Sequence, residues 1–303
     1  MSTFDRIRRR LRLPIIAAPM FLVSGPELVL AACRAGVIGA FPTANARTSA
    51  QLGEWLGRIR SGLAPTDAPV AANLIVHKSN PRLADDLAVL QELPTDLVIT
   101  SVGSPTPVIE ALRLTRTLVF ADVASLRHAR RAVEAGADGL ILLTAGAGGQ
   151  TGWANPFAFV RAVREFYAGP VVLAGGIADG IALRAALTLG ADLAYLGTKF
   201  LATTESLAPA AHKQMVAATT LDDVVLTSAL TGLPTSMLRP SLDAAGLELD
   251  RHGDADVGTL LAQADGAKAW RDLYSGGHSV SGVHAVCSVA EVVERTAREF
   301  HDQ

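Results

Sequence analysis

The sequence lacks the features that mark several protein classes. It contains two cysteines among 303 residues, Cys33 and Cys287, too few for a disulfide framework or a cysteine metal site. Aromatic residues make up 5% of the chain, and no apolar run approaches the roughly 20 residues that cross a bilayer. The segment at residues 1–5 has neither the apolar core nor the cleavage pattern of a signal peptide. We therefore expect a cytoplasmic protein without membrane-spanning segments.

A strong excess of either charge is also missing. The 27 Lys and Arg residues nearly balance the 29 Asp and Glu residues, and the one basic cluster, at residues 6–10, is short. We therefore expect no nucleic-acid partner. The seven histidines show no metal-ligand spacing, and the motifs of zinc proteases, serine hydrolases and Walker-type nucleotide-binding proteins are absent. The sequence predicts no metal site and leaves open whether the chain forms a homo-oligomer.

The chain is rich in short apolar runs that alternate with longer amphipathic stretches. Eight runs predict β-strands, at residues 14–18, 37–41, 70–76, 97–101, 118–122, 139–143, 171–174 and 193–196. The stretches that predict helices between them include residues 26–35, 49–60, 82–92, 126–135, 156–167 and 180–189. Glycine follows a predicted helix at Gly36, Gly136 and Gly190, which is typical of turns that lead into parallel strands. Eight such units in about 200 residues predict an α/β fold, a (β/α)8 TIM barrel rather than a doubly wound sheet.

This alternation stops after Thr198. Beyond it, residues 205–218 predict a helix, residues 221–226 a short extended piece, and residues 230–240 a loop. We therefore predict three parts. They are a barrel core at residues 1–204, a small, mostly helical lid subdomain at residues 205–277, and a C-terminal segment at residues 278–303 whose helix, residues 288–300, returns to the barrel.

Active sites of such barrels lie at the carboxyl ends of the strands, because the loops there are free to vary. The seventh predicted strand is followed by Gly175 and Gly176, and the eighth by Gly197 and Thr198. Glycines at these two turns expose backbone N–H groups and leave room for a phosphate. The sequence therefore predicts a phosphate-bearing ligand. Asp122 ends the fifth strand, where a structural role and a functional one both remain open.

Five segments at the predicted strand ends carry a family resemblance. They are Pro14-Ile15-Ile16-Ala17-Ala18-Pro19-Met20, Ala72-Asn73-Leu74, Ala145-Gly146-Ala147-Gly148-Gly149, Ala174-Gly175-Gly176-Ile177 and Leu196-Gly197-Thr198-Lys199-Phe200. Together they resemble the nitronate monooxygenase (2-nitropropane dioxygenase) family, from about Pro14 to about Pro240. The resemblance implies an FMN-dependent flavoprotein that oxidises a small anionic nitronate with O2 to a carbonyl compound and nitrite.

The resemblance also implies roles for single residues. Ala18, Pro19 and Met20 would lie along the isoalloxazine ring of FMN, and Asn73 would contact the ring. The turns after the seventh and eighth strands would hold the phosphate, and the loop after the sixth strand would approach the reactive side of the ring. The predicted cofactor-binding residues are Ala18, Pro19, Met20, Asn73, Asp122, Ala147, Gly148, Ala174, Gly175, Gly176, Gly197 and Thr198.

One position departs from the family pattern. Many members have a histidine after the Gly-Gly pair of the sixth strand, where it acts as a base or a hydrogen-bond donor, and this chain has Gln150. Glutamine cannot accept a proton at neutral pH, but its amide can donate a hydrogen bond to a nitronate oxygen or to the flavin. Gln150 is therefore one predicted catalytic residue. His77, just beyond the third strand, is a second because it could replace the missing base, and His278 is a weaker candidate.

Two other functions stay open at this point. Related FMN barrels reduce quinones or enoyl thioesters with NAD(P)H, and this chain could do the same. A (β/α)8 barrel can also bind a sugar phosphate or nucleotide phosphate without any flavin, because the fold alone does not determine the ligand.

Overall fold

A closed barrel of eight parallel strands forms the body of the computed structural model, which describes residues 2–230, 232–247 and 272–302. The strands in chain order are β1 (Ile15–Ala17), β2 (Ile38–Pro42), β3 (Val70–Ile75), β4 (Leu97–Ser101), β5 (Leu118–Val123), β6 (Gly139–Leu143), β7 (Gly149–Gln150), β8 (Val171–Ala174), β9 (Leu193–Leu196), β10 (Val224–Thr227) and β11 (Thr235–Leu238). The order around the barrel is β1-β2-β3-β4-β5-β6-β8-β9, and β9 pairs with β1 to close it.

Helices alternate with the barrel strands and pack around them. They are α1 (Thr3–Arg9), α2 (Pro26–Arg34), α3 (Ser49–Ser61), α4 (Leu83–Glu92), α5 (Thr106–Leu112), α6 (Leu126–Glu134), α7 (Pro156–Arg164), α8 (Gly180–Leu189), α9 (Thr198–Leu201), α10 (Ala210–Ala218), α11 (Arg239–Ala244) and α12 (Val289–His301). Short 3-10 helices lie at Thr43–Asn45, Leu221–Asp223 and His278–Gly282. In the part of the chain that the structure describes, no helix has the length and apolarity to span a membrane.

The predicted (β/α)8 barrel is confirmed. Its strands are buried along nearly their whole length, because helices cover the outside while side chains fill the inside. Gly36, Gly136 and Gly190 have φ values of 89°, 89° and 113°. These left-handed conformations let each chain turn sharply from a helix into a strand, as predicted.

The amino end of the barrel is closed by α1. This helix begins after Ser2, whose hydroxyl accepts a hydrogen bond from the N–H of Asp5. Its Ile7 is buried among the inward-facing barrel residues, and the Phe4 ring lies 6.0 Å from that of Phe120 on β5. Because this end is covered, ligands approach the barrel interior from the carboxyl ends of the strands.

The region after the barrel differs from the prediction in two places. The helix predicted at residues 205–218 is shorter, because Pro209 precedes its first residue, Ala210. The predicted loop at residues 230–240 is wrong, since it contains β11. Strands β10, β11 and β7 form a separate antiparallel sheet. The predicted lid subdomain at residues 205–277 includes residues 248–271, outside the described residues, so the division into parts stays a prediction.

Candidate active site

A cavity of about 380 Å³ opens at the carboxyl end of the barrel. Its size lies within the range of about 300–1,000 Å³ that is usual for small-molecule sites. Gln150 and all of the predicted cofactor-binding residues line it, so the structure brings these residues together. Their individual roles stay predictions. A larger cleft, of about 680 Å³, lies at the opposite end of the barrel beside α1 and contains none of these residues.

The turn after β8 is shaped by two glycines in left-handed conformations, Gly175 with φ 124° and Gly176 with φ 71°. A Cβ on Gly175 would lie 2.5 Å from the Thr144 hydroxyl, so this residue packs tightly against the loop after β6. A Cβ on Gly176 would meet no atom within 4 Å. The space beside Gly176 is therefore open, and this exposed residue lines the cavity.

The turn after β9 lies beside the turn after β8, because β8 and β9 are neighbouring strands of the barrel. Gly197 and Thr198 both line the cavity, and Thr198 is 5% exposed. A Cβ on Gly197 would lie 3.6 Å from the sulfur of Met20, which places the β1 segment beside this turn. The two glycine turns and the β1 segment thus enclose one corner of the cavity.

A segment from far along the chain closes over this corner. We call residues 274–279 the strap; Ser275, Gly276 and Ser279 line the cavity. The N–H of Gly277 donates a hydrogen bond of 2.9 Å to the Thr198 hydroxyl. The N–H of His278 donates to the carbonyl of Gly146, also at 2.9 Å. The strap therefore joins the β9 turn to the loop after β6 at this side of the cavity.

His212 on α10 holds the strap in place, and sequence reasoning missed it. Its ring is 4% exposed, its Nε2 lies 2.9 Å from the carbonyl oxygen of Ser275, and it stacks on Tyr274 at 4.4 Å between ring centroids. Burial lowers the pKa of His212. The neutral ring can donate from Nε2 to the strap carbonyl. No local pattern marks this residue, because its partners lie about 60 residues away.

The inner surface of the cavity carries a small set of polar side chains, which we call the cavity floor: Asn73, Ser101, Asp122 and Tyr195. Asn73 donates hydrogen bonds from Nδ2 to the Ser101 hydroxyl at 3.0 Å and to the carbonyl of Ile99 at 3.2 Å. These bonds fix the amide at the end of β3. Asn73 therefore presents a defined edge to the cavity, as expected for a residue that orients a ligand.

Asp122 has the most unusual environment in the cavity floor. Its Oδ1 is buried and has no hydrogen-bond partner among the described residues. Burial raises the pKa of its carboxyl to about 7. Burial, and then the charge of Asp122, raise the pKa of Tyr195 well above its usual range, so the phenol stays protonated. Strongly shifted pKa values in a cavity mark candidate functional residues.

Gln150 is held by the sheet outside the barrel. It lies on β7, opposite Thr235 of β11, and its side chain is exposed at the cavity wall. The backbone pairing fixes the position of Gln150 while leaving its side chain free to turn. Its amide can thus reach a ligand from the solvent side of the cavity.

The structure does not bring His77 to the cavity. His77 is exposed beyond the end of β3, and its Nδ1 lies 2.7 Å from the Ser79 hydroxyl, so the local turn determines where the ring points. The prediction of a catalytic His77 finds no support in this geometry. His278 is also exposed; its backbone belongs to the strap, and its ring lies beside Gly146, outside the cavity lining.

Val102 shows that the rim of the cavity is strained. This residue follows β4, lines the cavity and has φ 57°, a left-handed value that is costly for a β-branched side chain. Such conformations persist where the surrounding structure imposes them, and they concentrate at functional sites. The strain agrees with the placement of the site at this end of the barrel.

Comparison with known proteins agrees with this geometry. The sequence model for nitronate monooxygenase matches residues 82–294, more than half of the chain. The chain belongs to the nitronate monooxygenase family. The matched region contains the end of β4, Asp122, the loop after β6, both glycine turns and the strap.

The relatives and structural neighbours of this chain carry names that refer to different activities. The (3aS,4S,5R,7aS)-5-hydroxy-7a-methyl-1-oxo-octahydro-1H-indene-4-carboxyl-CoA dehydrogenase of Mycobacterium tuberculosis is 29% identical over 76% of this chain, which spans 64% of that relative's length. The structure of FabK from Thermotoga maritima has a TM-score of 0.84 and 26% identity, with 100% of this chain and 96% of that chain covered. The nitroalkane oxidase of Streptomyces ansochromogenes has a TM-score of 0.82 and 28% identity, with 99% and 98% covered.

Proposed function

We propose that this member of the nitronate monooxygenase family is an FMN-dependent oxidoreductase that oxidises small alkyl nitronates with O2 to carbonyl compounds and nitrite. The observation that carries the proposal is the cavity itself, in which two glycine turns, a fixed asparagine and an unpartnered carboxylate meet at the carboxyl end of the barrel. A cytoplasmic location, a small anionic substrate and a homo-oligomer remain predictions.

The corner at the glycine turns fits a phosphate. Gly176 leaves open space beside its backbone, and the Thr198 hydroxyl, which accepts the N–H of Gly277 and can still donate its own proton, lines the same cavity. Among the described residues, no lysine or arginine lines the cavity. Backbone N–H groups and hydroxyls would therefore hold the phosphate, as they do in other phosphate-binding turns.

The rest of the cavity fits a flat ring with a polar edge. Ala18, Pro19 and Met20 provide an apolar wall next to the glycine turns, and Asn73 presents a fixed amide. The Oδ1 of Asp122 is buried and has no partner among the described residues, so it can bond to a polar edge of a ligand. A flavin ring supplies both an apolar face and polar edge atoms.

Bound FMN would supply the electron acceptor that O2 reoxidises. The protein's contribution is to place the substrate, exclude water and provide hydrogen bonds. Gln150 would donate its amide to a nitronate oxygen from the open side of the cavity. An already ionised nitronate needs no base, so a glutamine at this position is compatible with the reaction.

A second candidate is supported by the relatives. The relative from Mycobacterium tuberculosis is named as a CoA-thioester dehydrogenase, and the structure of FabK covers this chain throughout. An FMN-dependent NAD(P)H:quinone reductase or enoyl-thioester reductase would use the same phosphate corner and ring wall. The two candidates differ in the compound that reduces the flavin.

Anaerobic mixing separates these candidates. The purified protein, loaded with FMN, is expected to lose its yellow absorbance rapidly when a propyl nitronate is added and slowly with NADH or NADPH. Stopped-flow absorbance of the flavin measures both rates. Rapid bleaching by a pyridine nucleotide with none by nitronate would establish the reductase, and a protein that takes up no FMN would refute both.

Replacing Gln150 with histidine is expected to shift the substrate preference. Gln150→His introduces a base at the cavity wall, and a positioned base contributes about 100-fold or more to proton transfer. The ratio of kcat/KM for a neutral nitroalkane to kcat/KM for its nitronate should rise by about tenfold or more. Gln150→Leu, which removes the amide without adding a base, should not raise it. An unchanged ratio in Gln150→His would show that residue 150 does not face the substrate.

A further inference from the structure

We infer that Asp122 is the residue through which this protein sets the electron affinity of its bound flavin, and that it makes this affinity depend on pH. The inference deepens the proposed function and rests on it, because it requires FMN in the cavity. It is carried by the position and the missing partner of one carboxylate.

The position of Asp122 places it away from the phosphate corner. Asp122 lies on β5, opposite Ile141 of β6, whereas the glycine turns follow β8 and β9. In the barrel order β5-β6-β8-β9, the carboxylate is thus on a different part of the cavity wall from the phosphate. A ligand whose phosphate lies at Gly176 would bring its ring, rather than its phosphate, to Asp122.

The surroundings of Asp122 contain no compensating charge. The other titratable residues that line the cavity in the described part of the chain are Tyr195 and His212. Tyr195 stays a neutral phenol, and the ring of His212 is stacked on Tyr274 and bonded to the strap. The carboxylate therefore acts on a bound ring without an opposite charge beside it, from a partly buried position where charge interactions are stronger than in water.

The sign of the effect follows from electrostatics. Reducing a flavin adds negative charge to its ring, and a nearby carboxylate opposes that addition. The pKa of about 7 means that Asp122 is uncharged at low pH and charged at high pH. The carboxylate therefore does not oppose flavin reduction below about pH 6, and it does oppose it above about pH 8.

The test compares the FMN-loaded wild type with Asp122→Asn, which keeps the shape and removes the charge. The midpoint potential of the flavin reports the ratio of the dissociation constants for oxidised and reduced FMN. At about pH 8.5 this ratio should favour reduced FMN by about tenfold more in Asp122→Asn than in the wild type. At about pH 5.5 the two proteins should agree within about twofold.

Two further variants make the result specific. Asp122→Ala should change the potential in the same direction, which guards against an effect peculiar to asparagine. Asp85→Asn removes an exposed carboxylate from α4, away from the cavity, and should match the wild type at both pH values. Equal potentials in wild type and both Asp122 variants at high pH would overturn the inference, as would a difference that is the same at both pH values. Failure of the wild type to take up FMN would instead overturn the proposed function.

Discussion

Gly176→Asp is expected to abolish FMN binding while leaving the barrel folded. Gly176 has φ 71°, a conformation that aspartate tolerates better than most residues, and its Cβ would meet no atom within 4 Å. The new carboxylate would therefore occupy the open corner without a clash and repel the FMN phosphate. We expect the dissociation constant for FMN to rise by about 100-fold or more. Fluorescence titration of the apoprotein with FMN measures it.

Two controls separate charge from backbone strain in this experiment. Gly176→Asn has nearly the same shape and the same left-handed preference without the charge, and it should bind FMN far more tightly than Gly176→Asp. Gly136→Asp places the same charge on another left-handed glycine, φ 89° and also without a neighbour within 4 Å of its Cβ, but in the turn between α6 and β6. It should bind like the wild type. Equal loss in Gly136→Asp and Gly176→Asp would refute the phosphate corner.

The barrel could be predicted from the sequence because its strands carry the information locally. Parallel strands buried on both faces are continuous apolar runs, and the predicted runs at residues 97–101, 139–143 and 171–174 coincide with β4, β6 and β8. The two glycine turns are also local, since each follows its strand directly. These features required no knowledge of distant contacts.

The extended piece predicted at residues 221–226 overlaps β10, but β11 and the strap could not be predicted in the same way. Strand β11 contains only Thr235–Leu238, follows Pro234, and pairs with β7 from much earlier in the chain. A strand this short is determined by its partners and has no periodicity of its own. Helix α5 is not among the helical stretches named from the sequence, although the eight predicted units imply a helix there; it starts at prolines, which are favoured in the first turn of a helix.

The residues of the candidate site also differ in whether local sequence or distant contacts determine their positions. Asp122, near the end of β5, could be named from the sequence because the barrel fixes where strand ends meet, whereas Asn73, within β3, is named from the family resemblance. His77 lies two residues beyond the end of β3, where its ring bonds to the Ser79 hydroxyl and is exposed. His212 belongs to the site because it contacts the strap, and no local sequence pattern shows these contacts.

The strap packs closely against the loop after β6 at Gly277, so we expect a substitution of this residue to have a large effect. Its backbone is extended, with φ −98° and ψ 179°, so alanine adds no conformational strain. A Cβ at this position would lie 2.6 Å from both the carbonyl oxygen of Gly146 and the nitrogen of Gly148. These are backbone atoms of the loop after β6, and they cannot turn aside as a side chain would. Gly277→Ala must therefore push the strap away from that loop.

Gly277→Ala is expected to weaken FMN binding and to make the protein less stable. Displacing the strap breaks the bond from Gly277 to Thr198, so we expect FMN affinity to fall by about tenfold and the free energy of unfolding by about 1–3 kcal/mol. FMN titration and urea denaturation of the apoprotein measure the two effects. Gly276→Ala is the matched control, because its Cβ would meet side-chain atoms of Leu238 rather than the backbone of the loop after β6. If Gly276→Ala lowered FMN affinity as much as Gly277→Ala, contact between the strap and the β6 loop would not be what closes the site.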